Sequence, residues 1–310
     1  MSRILVTPRS LTRAPDPAVE RLREHGHEPV YAPAGRTPDE TTLLALLPGC
    51  VGWLAGVEPV SPRVLEAASP TLRVISRNGT GSDNLPLATA ERLGIRILRA
   101  QGANARGVAE LALALMLASL RHLPEQCAAL KAGGWQRREG REIAGRTVGL
   151  VGCGAVGRLV ARFALAMDAR VRVFDPFPDP LFHPDGDFAF STLAELLRSS
   201  DLLSLHCPMP ADGQPVLGEA ELAALPPGAH LVNTARGGLV DEAALLAAIE
   251  EGRIATYATD AFEVEPPPPS ALLRHPRVIA TPHVGGFTAE SVRRATDAAV
   301  ANLLAALADP

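Results

Sequence analysis

"TVGLVGCGAVGRLVARFA", residues 147–164, decides the fold of this chain. The run up to Val151 is apolar without alternation, the pattern of a strand buried on both faces of a parallel sheet. Three glycines follow in G-x-G-x-x-G spacing, Gly152, Gly154 and Gly157, and an amphipathic helix opens at once. Gly152 permits a tight turn, Gly154 lets a pyrophosphate approach the backbone, and Gly157 lets helix and strand pack closely. The helix start then presents N–H groups and a partial positive charge to phosphates. The glycine spacing alone is a weak sign, and the strand before it and the helix after it give it meaning. The next strand, "ARVRVFD", ends in Asp175, 18 residues after Gly157 and 23 after Gly152. A carboxylate there accepts the ribose hydroxyls of NAD and repels a 2′-phosphate. No Arg or Lys follows it in "DPFPDP", so NAD is expected over NADP.

Working outward, similar apolar runs recur on both sides. "RILVTP", "CVGWLAG", "LRVISRNG" and "IRILRA" read as strands in the first hundred residues. "DLLSLHC", "AHLVNTA", "IATYATD" and "RVIATPH" extend the second set. Amphipathic stretches such as "TLAELLRSS" and "DEAALLAAIEEG" lie between them, so both sets read as βαβ units. "FTAESVRRATDAAVANLLAALADP" reads as a helix after the last strand, opening on Thr288 and Glu290 in a capping box shifted by one. Such a helix packs back on the first domain. The expectation is an α/β protein of two doubly wound parallel-sheet domains with a cleft between them. Residues 1–100 and 284–310 would form a discontinuous, flavodoxin-like substrate domain. Residues 101–283 would form the Rossmann domain for NAD.

Composition narrows the partners. The 310 residues are 47% hydrophobic and carry a formal net charge of -4, which gives no reason to expect nucleic acid or a membrane surface. The longest apolar run, residues 107–120, is too short to span a bilayer and holds Glu110. "MSRILVTPRS" has no signal-peptide core. Cys50, Cys127, Cys153 and Cys207 show neither paired nor CxxC spacing, so reduced thiols in a cytoplasmic protein, and no metal site, are expected.

Three further strand ends bear chemistry. Arg236 follows "HLVNTA", Glu265 follows "YATDAFEV" and His283 follows "RVIATP". In an open α/β sheet the carboxyl ends of strands face the ligand crevice, so the three should converge where a nicotinamide would lie. Arg236 would clamp a carboxylate with two parallel hydrogen bonds. His283 would protonate a carbonyl as hydride arrives, or take the hydroxyl proton in reverse. Glu265 would hold the other ring nitrogen and favour the protonated ring, with Pro266 to Pro269 bracing its segment and Glu263 left exposed. The set suits a 2-hydroxy acid or 2-keto acid.

These stretches, with "RNGTGSDNLPL", "ANARGVAELALALMLA", "GLVGCGAVGRLVA", "LHCP", "LVNTARGGLVDEAAL", "DAFEVEPP" and "TPHVGG", resemble the D-isomer-specific 2-hydroxyacid dehydrogenase family over nearly the whole chain. The resemblance implies that Arg236, Glu265 and His283 are the catalytic residues. It implies a substrate-binding turn at Asn78, Gly79, Thr80 and Gly81, with Arg77 beside it, and adds Ala155, Val156, His206, Cys207, Pro208, Thr234, Ala235, Asp260 and Gly285 to the cofactor site. Asp260 would meet the nicotinamide carboxamide. It further implies a homodimer through the helix around "ELALALMLA" and the arm holding Trp135.

"SRNGTGSDN" is similar to the corresponding loop of phosphoglycerate dehydrogenases, which ranks 3-phosphoglycerate first and hydroxypyruvate or glyoxylate next. Arg77 would bind a phosphate or second carboxylate, unless it is a surface residue at a strand-end turn. Two alternatives stand beside this reading. A formate dehydrogenase-like enzyme shares the fold but pairs its His with Gln. A corepressor-like protein of this fold would sense NAD(H) and bind peptides, with turnover incidental.

Overall fold

Uninterrupted apolar strands, joined through helices, build two separate all-parallel sheets in this chain. The computed structural model describes residues 1–82 and 84–308; Asp83 of the loop quoted above and the expected last residues 309 and 310 lie outside them. The chain divides into two units, Met1–Asn104 with Ala289–Pro310, and Ala105–Thr288.

The first unit holds β1 (Ser2–Val6), β2 (His27–Tyr31), β3 (Cys50–Ala55), β4 (Val74–Arg77) and β5 (Arg96–Arg99). Their order is β2-β1-β3-β4-β5, the flavodoxin-like arrangement. The sequence gives no sign of β2, because "HEPVY" carries Glu28 and Pro29. Proline survives there because β2 is an edge strand, where one backbone donor can be missing. The core is built on Ile4, Leu5, Trp53, Leu54 and Ile75, none of them exposed. Trp53 also donates its Nε1–H to Thr7 Oγ1 at 3.0 Å, so its one polar atom is satisfied inside. The C-terminal helix Ala289–Ala308 returns to this unit and packs on β3 and β4. Gly52 makes that approach possible, since a Cβ there would lie 3.3 Å from Leu303 Cδ2.

The second unit holds β6 (Thr147–Val151), β7 (Arg170–Phe174), β8 (Phe188–Phe190), β9 (Leu202–Leu205), β10 (Ala229–Asn233), β11 (Ile254–Thr259) and β12 (Val278–Ala280). Their order is β12-β11-β10-β9-β6-β7-β8, so the strand order reverses between β6 and β9. Ligands of such sheets bind at that reversal, beyond the carboxyl ends. All five residues of β6 are buried, as its lack of alternation requires. β8 escapes the sequence reading because it is a three-residue edge; Phe188 anchors it, edge-on to both Phe182 and Phe190. The helix Ala105–Leu120 is apolar because it packs against the helix Ala155–Leu165 and against β10 and β11. Among the described residues, no single helix is long and apolar enough to cross a membrane.

Helix starts follow local chemistry. Thr192 and Glu195 form a complete capping box for Leu193–Ser199, and Asp241 caps Glu242–Glu250 through the Ala243 and Ala244 amides.

One core residue makes stability depend on pH. His230 lies in β10, 3% exposed, and its Nδ1 is buried with no partner among the described residues. Burial, and then the charges of Arg141, His122 and Arg146, push its pKa down to about 4, against a smaller opposing effect of Asp201. The unfolded chain takes up this proton near pH 6.5, whereas the native chain resists it to about 4. Stability is therefore complete above pH 6.5 and is lost as pH falls toward 4, by up to about 3 kcal/mol for this group. Urea unfolding between pH 7.5 and 4.5 should show His230→Phe losing less stability over that window than the natural chain. Equal losses would remove His230 as the cause.

Candidate active site

The glycine loop leaves β6 through Gly152, whose φ of +100° suits glycine alone. A Cβ at Gly152 would lie 2.7 Å from His206 O, and one at Gly157 would lie 2.2 Å from Gly152 O, so loop, helix and the segment after β9 pack at backbone distance. Gly154 caps the helix Ala155–Leu165 without a side-chain bond, and a Cβ there would meet open space. The first amides of that helix, at Ala155, Val156 and Gly157, therefore face a clear approach for a phosphate.

Asp175, at the end of β7, accepts from the Cys153 amide at 2.7 Å and from the Phe177 amide at 2.8 Å. Its oxygens hold two turns and keep lone pairs for ribose hydroxyls. Arg158, which the sequence reading did not place, ties the same region together. Its Nε donates to Cys153 O at 3.0 Å, its Nη1 pairs with Asp179 at 2.9 Å, and its guanidinium lies over the Phe182 ring. Its place one residue past the third glycine is the signal that marks it.

Two other expected cofactor residues carry buried polar atoms with no partner among the described residues: His206 Nε2 and Thr234 Oγ1. Buried polar atoms are paired in most proteins, so a ligand at this place fits both. Burial also pushes the His206 ring down to about 4, although the residue keeps an exposed edge, so it is neutral near pH 7. Burial raises the Cys153 and Cys207 thiols to about 11, which leaves them protonated and unreactive. Pro208 is exposed, Ala235 half-buried and Gly285 buried.

Arg236, Glu265 and His283 come from the ends of β10, β11 and β12. Asn233 shapes the first turn: its Nδ2 donates to Arg236 O at 2.8 Å and its Oδ1 accepts from the Ala235 amide at 3.1 Å. Arg236 stands half-buried beyond it, with Nη1 donating to Ala235 O at 2.8 Å. Glu265 and His283 meet directly, with His283 Nδ1 2.7 Å from Oε1 and 2.9 Å from Oε2. Their side chains remain 50% and 41% exposed, histidine first. The Phe262 amide also donates to Glu265 Oε1 at 3.2 Å, which fixes the carboxylate. With Nδ1 donating to Glu265, Nε2 is the nitrogen left to exchange a proton. Glu263 is exposed. Asp260 is 2% exposed and accepts from Thr281, Val284 and Gly285, residues flanking His283. Neither Thr281 nor Gly237, which seats the Arg236 turn against residues 262 and 263, was singled out from sequence.

In the first unit, the segment after β4 is a tight turn. The Asn78 amide donates to Ala55 O and the Gly79 amide to Arg77 O. The half-buried Thr80 and Gly81 amides have no acceptor among the described residues, and the Thr80 hydroxyl turns to Asn104 Oδ1 at 2.9 Å. Arg77 is 8% exposed and donates from Nη1 to Asn78 O at 2.9 Å, beneath Gly79. It is a buried brace of the turn and no surface residue.

Among the described residues, no group of three His, Cys, Asp or Glu could hold a metal ion.

Comparison with known proteins gives concordant matches. The pattern of the D-isomer specific 2-hydroxyacid dehydrogenase NAD binding domain matches residues 113–285. A hydroxypyruvate reductase of Thermotoga maritima is 38% identical over 242 residues, covering 76% of this chain and 77% of that protein. A D-3-phosphoglycerate dehydrogenase of Mycobacterium tuberculosis is 38% identical over 265 residues, 84% of this chain and 50% of that protein. The chain thus spans about half the length of the phosphoglycerate dehydrogenases it matches. The crystal structure of a glyoxylate reductase from Paecilomyes thermophila superposes with a TM-score of 0.88 at 28% identity, covering 99% of this chain and 96% of that one.

Proposed function

Because the chain belongs to the D-isomer specific 2-hydroxyacid dehydrogenase family, we propose that it transfers a hydride between NAD and a small D-2-hydroxy acid or 2-keto acid, with Arg236, Glu265 and His283 as its catalytic residues. The observation that supports this most is the 2.7 Å contact of Glu265 with His283 Nδ1, at the carboxyl ends of neighbouring strands of a dinucleotide-binding sheet. The bound cofactor would supply the hydride to the substrate carbon as NADH, or accept it as NAD. His283 Nε2 gives a proton to the substrate oxygen during reduction and takes it back during oxidation. Glu265 orients the ring and stabilises its positive charge. Arg236 holds the substrate carboxylate. Gly152, Gly154, Ala155, Val156 and Gly157 hold the diphosphate, and Asp175 the ribose.

The similarity to hydroxypyruvate reductase, phosphoglycerate dehydrogenases and glyoxylate reductase supports 3-phosphoglycerate as the first substrate to test, then hydroxypyruvate and glyoxylate. The test is absorbance at the nicotinamide band with NADH or NADPH and a panel of 2-keto acids, and with NAD and 3-phosphoglycerate. Faster oxidation of NADH than of NADPH with at least one acid is expected. No turnover with any of them would favour the corepressor-like alternative.

The burial of Arg77 bears on the substrate's tail. A buried guanidinium that braces its own turn serves the Thr80 and Gly81 amides, which are the carboxylate donors in this reading. Arg77→Ala is then expected to raise KM for 3-phosphoglycerate and for glyoxylate by similar factors. A rise confined to 3-phosphoglycerate would place the guanidinium on the phosphate instead.

We also read the protein as a cytoplasmic homodimer. Its four cysteines are free thiols, which suits a reducing compartment. The helix Leu123–Lys131 has no buried residue, and Leu123, Leu130 and Trp135 are 54%, 58% and 83% exposed. A second copy covering this arm would remove that apolar surface from water. Sedimentation should give about twice the 32.5 kDa chain mass, and Leu130→Ser with Trp135→Ser should return it to one chain. A natural chain that already sediments as a monomer at micromolar concentration excludes the dimer.

A further inference from the structure

We propose that the Arg158–Asp179 ion pair helps set the cofactor preference, because Asp179 engages a guanidinium that would otherwise receive the 2′-phosphate of NADP. The inference rests on the reading of Asp175 as the ribose carboxylate. An arginine near that carboxylate is how sheets of this kind take a 2′-phosphate. None follows Asp175 in "PFPDP". Folding brings one from the opposite side. Arg158 lies in the helix Ala155–Leu165, one residue past the last glycine of the loop.

Arg158 and Asp175 grip the same residue. The Cys153 amide donates to Asp175 Oδ2 at 2.7 Å, and Cys153 O accepts from Arg158 Nε at 3.0 Å. The backbone of one glycine-loop residue therefore separates the guanidinium from the carboxylate. The Cys153 thiol registers both charges. Burial raises it to about 11, Arg158 pulls it down, and Asp175 and Asp179 push it up. Arg162 lies over the Phe182 ring as well, at 5.4 Å, but one helical turn further from the loop.

Asp179 keeps Arg158 from a phosphate. Its Oδ2 pairs with Arg158 Nη1 at 2.9 Å, and the guanidinium carbon lies 5.3 Å from the centre of the Phe182 ring. Asp179 is set for this by its own turn. Its Oδ1 accepts from the Leu181 amide at 2.9 Å, and its carbonyl accepts from the Phe182 amide at 3.1 Å. The carboxylate and the ring beside the guanidinium thus come from one short turn. The side chains of Arg158 and Asp179 are 39% and 32% exposed, so the pair contributes little to stability and stands open to a competing anion. With Arg158 neutralised, the repulsion between Asp175 and a 2′-phosphate is uncompensated.

Charge can be removed here with little change of shape. Asp179→Asn keeps an oxygen for the Leu181 amide and puts an NH₂ where Oδ2 met Arg158. Two donors then face each other and the pair breaks. The freed guanidinium presents a planar fork of donors that suits a phosphate. Asp179→Ala frees it too, without the bond to Leu181.

The experiment reads NADH and NADPH dissociation constants by nicotinamide fluorescence, which needs no turnover. It uses the full natural chain, both Asp179 variants, and Asp179→Asn combined with Arg158→Gln. In the Asp179 variants NADPH should bind at least about threefold more tightly, the modest gain of a part-exposed charge contact. NADH carries no group for Arg158 to meet at the 2′ position, so its constant should change by less than about twofold. The NADPH gain should shrink as salt rises from about 0.05 to 0.5 M, and Arg158→Gln should cancel it. A smaller gain in both Asp179 variants, an equal shift for the two dinucleotides, or a gain that persists without Arg158 would overturn the proposal. A natural chain that binds no NADH would sink the dinucleotide site itself, whereas NADH binding with an unaltered preference sinks this proposal alone.

Discussion

His283→Ala is expected to slow turnover by about 10²–10⁴-fold, the range lost with a general acid–base, and to leave NADH binding largely intact. The structure makes this a clean substitution. The ring is 50% exposed, so its removal opens no core cavity, and its hydrogen bond is to a carboxylate that is 41% exposed. The φ of His283, +52°, is the one special feature, and alanine adopts that conformation less readily than histidine, so a loss of about 1 kcal/mol is expected in thermal unfolding. The expected result is a fall in kcat with a nearly unchanged NADH dissociation constant and a small drop in melting temperature. A rate within threefold of the natural chain with 3-phosphoglycerate, hydroxypyruvate and glyoxylate alike would show that the proton comes from elsewhere.

Gly237→Ala should be as damaging, for a reason of space. Gly237 follows Arg236 and lies against the segment that carries Glu265. A Cβ there would stand 2.1 Å from the Phe262 carbonyl carbon, 2.2 Å from the Glu263 nitrogen and 2.6 Å from Phe262 Cα. All three are backbone atoms, which cannot swing aside as a side-chain tip can. The methyl must push the Arg236 turn and the 262–265 segment apart, and overpacking of this kind costs about 1–3 kcal/mol or more. The same displacement pulls Glu265 from His283 or Arg236 from its place. kcat/KM is expected to fall by on the order of 10²-fold, and the melting temperature by about 2–4 °C for each kcal/mol lost in a domain of this size. Gly238→Ala is the control. Its Cβ would meet only Met209 Cε at 3.1 Å and Sδ at 3.3 Å, the flexible end of a side chain, so activity and stability should both survive. If Gly237→Ala matches Gly238→Ala, the close approach is not what sets the site.

The sheets themselves were legible. Runs such as "TVGLV" and "AHLVN" lack the strict apolar–polar alternation of a half-exposed strand because both faces of a parallel sheet are covered, and every residue of both strands is buried. The dinucleotide loop was legible for a similar reason: Gly152 and Gly157 answer to backbone distances that no other residue satisfies. The two strands that went unseen, β2 and β8, are edges, where one contains a proline and the other is three residues long. An edge strand takes its conformation from the neighbour it pairs with, so its own residues say little.

What the amino-acid order determined was the pair of α/β units, the glycine loop with its acidic strand end, and the identity of three side chains at neighbouring strand ends. These are local properties, encoded in runs of five to twenty residues. Tertiary structure alone decided that Arg77 is buried under its own turn, that Gly237 touches the backbone 25 residues further on, and that one carboxylate at 260 holds both sides of His283. Such contacts join segments that are remote along the chain. Their energies depend on tenths of an ångström between atoms, and spacing in a sequence does not specify a distance in space.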